Sequence, residues 1–147
     1  MNDIRLDTPS RRAIRTGQIL RVLVAAFLIL ASALPKLIRH PSATDYLTHF
    51  GFDAMATTVP IGMLEASIAI LFLVPRTSVL GAILLTGLLG GATATQLRVG
   101  DPIFFPIMVG GVAWLSLYLQ DGRVRDLIRT GPTALPSAGV TEPARVV

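Results

Sequence analysis

The sequence predicts an all-α fold, specifically a polytopic four-helix bundle held in a membrane. Three observations lead there. Hydrophobic residues make up 52% of the 147 and charged residues only 15%, a balance unusual for a water-soluble domain. The apolar residues gather into four runs, about 19–37, 59–74, 78–97 and 103–119, each close to the ~20 helical residues that cross ~30 Å of hydrocarbon. None of the runs carries the polar stripe with which a helix of a compact soluble protein meets water. Open strands are excluded, because lipid leaves their edge N–H and C=O groups unpaired.

Residues 1–18 form a basic N-terminal segment with Arg5, Arg11, Arg12 and Arg15. The first run then passes through Ala31-Ser32-Ala33, which is spaced like a signal-peptide cleavage site. Lys36 continues the helix beyond it and three more runs follow, so this run is read as a retained span. The long connection 39–58 predicts a short interfacial helix. Ser42 and Asp45 have capping-box spacing, Tyr46, Leu47 and Phe50 share a side, and Gly51 ends it. Pro60 is expected in the first turn of the second span, Ser78 as the cap of the third, and Asp101 as the cap of the fourth with Pro102 at its first position. Trp114 and Tyr118 fall where aromatic rings settle at a membrane interface. Residues 130–147, rich in proline, glycine, alanine and threonine, read as a disordered tail after the membrane domain of residues 19–129.

Charge sets the expected orientation. Arginines precede the first span, Arg76 lies between the second and third, and Arg123, Arg125 and Arg129 follow the fourth. The positive-inside rule then puts both termini in the cytoplasm. The net charge of +4 is accounted for by this topology and by lipid contact. No nucleic-acid module with a basic, aromatic-bearing helix is present.

The residue that asks for a function is Glu65, in the otherwise apolar second span. It lies roughly 9 Å below the span's outer boundary at 1.5 Å per residue. An ionised group at that depth needs a partner, a proton or a water-filled space. Gly62, Glu65 and Ala69 share one helix side, and Gly87, Gly91 and Thr95 share another that Arg98 follows, so close helix approach is expected at both. Lys36, Arg39 and Arg98 all reach the outer half, and a pair with Lys36 or with Arg98 is expected. Ser32, Lys36, Glu65, Thr95, Gln96 and Arg98 therefore make a candidate ligand or proton site, and equally a structural ion pair that only fixes packing. The GxxxG pair Gly87–Gly91 favours packing within the bundle and leaves a homo-oligomer open.

With no cysteine and two histidines, no metal site is expected, and thiol and iron–sulfur chemistry have no ligands. Nucleophile elbow, phosphate loop and dinucleotide fingerprint are all missing, so no enzyme class is assigned. Any redox role requires a bound molecule, quinone-like in character, or a membrane or redox protein partner.

Four stretches carry a family resemblance: LPKL at the end of the first span, HFGF before the second, IGMLEASIAILFLVP, and GAILLTGLLGGATATQLRVGDP. Over about residues 20–127 the chain resembles the DoxX-like family of small bacterial membrane proteins. The resemblance implies a four-helix bundle in the inner membrane, with Lys36, Glu65 and Arg98 as positions of interest. The family's name comes from a membrane subunit linked to thiosulfate and quinone oxidation. Many such proteins carry histidine where this chain has Gln96, whose amide does not titrate. Two functional classes follow: a redox-associated subunit or binding protein for a small lipophilic molecule, and a structural or assembly protein.

Overall fold

The computed structural model describes residues 10–122, 124 and 125. The terminal tail 130–147 lies outside them, as do Arg5, Arg123 and Arg129. Among the described residues there are five helices and no strand: α1 (Arg11–Leu37), α2 (Pro41–His49), α3 (Ala54–Leu73), α4 (Ser78–Val99) and α5 (Phe104–Gln120). Three of them, α1, α3 and α4, are long and apolar enough to cross a membrane. The fourth long helix, α5, has 17 residues, the lower end of what spans a bilayer.

The long helices pack as a closed ring in which α1 and α4 each touch α3 and α5 and no diagonal pair meets. Successive members run antiparallel. Gly17 lies against Ser116 and Gln120 while Phe27 meets Phe105, and Gly62 lies beside Lys36 while Ser32 reaches Glu65. Unlike a soluble bundle, this one is apolar on its outside as well as in its core. Leu30 is 63% exposed, whereas Thr58 and Ser116 are fully buried. Their hydroxyls bond backbone carbonyls of their own helices, Ala54 and Ala113, so neither is left unmet inside. Alanines at positions 25, 33, 69, 82 and 113 fill the interior with Leu28, Phe72, Leu85 and Leu117, and small side chains let the backbones close up.

Helix α1 begins at Arg11, well before the apolar run, with Ser10 as its cap. Its stretch Phe27–Ala33 winds as a π-helix, which the sequence reading did not anticipate. Pro35 gives the reason: it has no N–H to donate and its ring crowds the carbonyl four residues back, and a wider turn relieves both. The buried face steps by three or four residues from Gly17 through Arg21, Val24 and Leu28, then by five to Ala33 and on to Lys36. One inserted residue turns the later face by about 100° against a continuous α register. That turn aims Lys36 at α3.

Several expected helix starts are corrected. α2 is capped by His40, whose Nδ1 accepts from Ser42 N–H, with Pro41 at the first position, so Ser42 and Asp45 do not form a capping box. α3 starts at Ala54 because Asp53 accepts from Met55 and Ala56 N–H, which leaves Pro60 inside the helix instead of in its first turn. Thr77, not Ser78, precedes α4, and the Ser78 hydroxyl bonds Pro75 O. α5 starts at Phe104 after Ile103, and Asp101 is used elsewhere. The apolar run marks the lipid-crossing portion, whereas the starts of α2 and α3 are set by the side chains, His40 and Asp53, that meet the free N–H groups; α4 and α5 start without a side-chain cap.

The corner after α1 is tight. Arg39 takes a left-handed φ of 53°, while His40 N–H bonds Pro35 O and Arg39 N–H bonds Lys36 O. This is the helix-ending motif that glycine usually serves. Gly51, at φ 76°, serves it at the end of α2, as expected from the sequence.

Candidate functional site

Lys36 and Glu65 meet inside the bundle half that carries α2. Lys36 Nζ lies 3.0 Å from Glu65 Oε1 and 2.8 Å from Oε2. It also donates to Ser32 Oγ at 2.9 Å and lies 3.2 Å from Ser32 O, while the Ser32 hydroxyl donates to Glu65 Oε2 at 2.9 Å. Both charged side chains are about nine-tenths buried. Of the two cations the sequence left open, Lys36 is the partner of Glu65. Gly62 makes the pairing geometrically possible: a Cβ there would stand 2.9 Å from Lys36 Cβ and 3.1 Å from Ala33 O. Any larger residue holds α3 off α1 and lengthens the ion pair.

Arg98 goes elsewhere, donating to Phe50 O at the end of α2. Beside it His49 Nε2 pairs with Asp101 Oδ2 at 3.0 Å. The two contacts fasten α2 to the end of α4, and Ala43, Leu47 and Phe50 are buried beneath it. Neither histidine joins a metal-ligand group: His40 bonds Ser42, and no cluster of three acidic or histidine side chains occurs among the described residues.

The Lys36–Glu65 pair lines a cavity of about 740 Å³ that every helix helps to wall. That is the size of a drug-sized ligand site. α1 contributes Phe27, Ser32 and Lys36; α3 contributes Ile61 and Glu65; α5 contributes Phe105 and Val109. α2 closes one side with Tyr46 and Phe50, whose rings sit edge to face at 4.6 Å. α4 presents Gly87, Gly91, Thr95 and Gln96.

The glycine stripe of α4 does the opposite of what its spacing predicts. A Cβ on Gly87 or Gly91 would meet nothing within 4 Å. These glycines hold open a space instead of admitting a neighbouring helix. Thr95 bonds its hydroxyl back to Gly91 O, and Gln96 Oε1 is buried without a partner. The structure therefore gathers Ser32, Lys36, Glu65, Thr95 and Gln96 around one cavity and leaves Arg98 at the tie between α2 and α4.

Two further features stand beyond the residues expected from the sequence. The aromatic wall from α2 and α5 needs tertiary packing to exist. Arg21, 9% exposed in α1 with Nε unpartnered, was legible as an arginine just inside the first apolar run.

An all-helical ring with apolar outer faces, a buried ion pair and a half-open cavity between its helices defines a polytopic membrane bundle. The chain belongs to the DoxX-like family, whose family model matches residues 19–117. That span takes in most of the bundle and the whole cavity wall. No curated protein and no solved structure matches the chain.

Proposed function

We propose that the chain binds a small lipophilic molecule between its helices, with the polar head at the Lys36–Glu65–Ser32 cluster and the apolar body against the aromatic wall. The observation that carries this reading is the cavity itself, floored by a buried ion pair and kept open by glycines that no neighbour requires. A glycine inside a helix is less favourable than alanine by about 1 kcal/mol, and here packing returns nothing for it. The volume is in the range of a quinone-like molecule, which in its reduced form carries hydroxyls, in keeping with a redox-associated subunit that works with a membrane or redox partner. If the charges only locked the helices, the cavity would have no use.

Filling the cavity tests this. Gly91→Leu places a side chain in open space, whereas Gly90→Leu changes a glycine of the same helix that does not line the cavity. Protein extracted from membranes is analysed for co-purifying lipophilic molecules by mass spectrometry. Wild type and Gly90→Leu are expected to retain a bound species that Gly91→Leu lacks. Equal content in all three sinks the reading in favour of a structural or assembly role.

The same proposal includes an orientation in the bacterial inner membrane. Arg11, Arg12, Arg15, Arg76 and Arg125 sit at the end of the bundle opposite α2, while Asp45, Asp53 and Asp101 share the α2 end with Arg39 and Arg98. The positive-inside rule makes the arginine end cytoplasmic, so the cavity occupies the outer half. Cysteine placed at Asp53 should react with an impermeant reagent on intact cells and cysteine at Arg76 should not; the reverse pattern overturns it.

A further inference from the structure

We infer that the cavity selects a neutral ligand that brings a hydrogen-bond donor, an amphipathic alcohol or phenol, over carbonyl-only, anionic and cationic ligands of the same shape. This rests on the ligand-binding reading above and adds the chemistry of the head group.

The donors and acceptors of the cluster point to that head group. Lys36 has three N–H bonds, and its only acceptors are Ser32 and Glu65. The Ser32 O–H is spent on Glu65 Oε2. Every donor in the cluster is thus used within it. The acceptors are not exhausted: a carboxylate has about four lone-pair sites. Oε2 takes Ser32 and Lys36, whereas Oε1 takes Lys36 alone. Glu65 can accept one more proton donor without giving up its partners.

Charge narrows the class. Lys36 and Glu65 cancel, so the buried site is neutral as it stands. An anionic head would face the open lone pairs of Glu65, and a cationic head would have to displace Lys36 to gain its full attraction. Either leaves an uncompensated buried charge, the costly case. A hydroxyl does neither.

Gln96 supplies the complement. Its amide lines the same cavity and has an unmet buried oxygen, and a half-turn of the amide exchanges O for N–H₂ at either face. A hydroxyl that donates to Glu65 Oε1 keeps lone pairs that can accept from this amide. Beyond the head, Phe27, Tyr46, Phe50, Phe52 and Phe105 offer aromatic surface to a ring or chain.

The test uses para-octylphenol, its methyl ether and para-octylbenzoate, titrated into the full-length chain in detergent. The same titration of Gly91→Leu is subtracted to remove partition into micelles. The phenol is expected to bind roughly tenfold or more tighter than the ether, the ratio a hydrogen bond to a charged group commonly gives. Glu65→Leu with Lys36→Met should bring the two within about twofold, because no acceptor is left at that position. An ether or benzoate that binds wild type as well as the phenol overturns the inference while the cavity remains a binding site. Failure of all three probes to bind wild type above Gly91→Leu removes the ligand-binding reading itself, and the inference with it.

Discussion

The two halves of α4 use the same kinds of residue to opposite ends. In the half that follows the turn from α3, Ser78, Gly81, Ala82 and Leu85 are buried, and a Cβ on Gly81 would run into the backbone of Leu71 and Phe72. Beyond Leu85 no residue of α4 is buried, and Gly87 and Gly91 stand against open space. Glycine in the first half admits a neighbour; in the second it keeps one away. The short turn 74–77 forces α3 and α4 together at one end, with the Thr77 hydroxyl bonded to Leu71 O. At the far end α2 is inserted between the bundle and its exit, and the helices part around the cavity. Tight packing gives the bundle its stability, and the loosely filled half is where a ligand can be accommodated.

The largest expected effect lies at the ion pair on the cavity floor. Lys36→Met leaves Glu65 buried without its cation, and removing one member of a buried pair commonly costs ~3–5 kcal/mol. Replacing both, Lys36→Met with Glu65→Leu, leaves no charge stranded and should recover most of that loss. Thermal unfolding in detergent of the two single variants and the double variant reads the coupling. Strictly additive losses would show that the two charges do not stabilise one another.

A smaller effect, with opposite signs, separates the halves of α4. Gly81→Ala is expected to destabilise by about 1–3 kcal/mol, because the backbone of Phe72 must move to admit the methyl group. Gly91→Ala, the same substitution on the same helix, should stabilise by up to about 1 kcal/mol through helix propensity alone. Should Gly91→Ala destabilise as much as Gly81→Ala, the open space beside α4 is filled by something that packs there in the membrane, and the contrast between the halves fails.

Composition and periodicity determined the helical membrane class, the apolar spans and the interior position of Glu65. Each follows from a constraint local to one segment: lipid tolerates no unpaired backbone, and a carboxylate deep in an apolar run must turn away from it. The family resemblance was legible in the same stretches. Helix ends were read less well, since Asp53 and His40 take the first free N–H groups ahead of better-looking neighbours, and α4 starts with no side-chain cap. What only the tertiary structure decided is how the segments face one another. Lys36 and Arg98 were equivalent in the sequence, both at the right depth. The π-turn ahead of Pro35 rotates Lys36 onto α3 and the approach at Gly62 draws it within reach of Glu65, while α2 captures Arg98 through Phe50 O. The glycines of α4 were equally ambiguous, because a missing side chain specifies that something can come close and not whether anything does. That depends on where the neighbouring helix goes, and α3 goes toward Gly81 and away from Gly91.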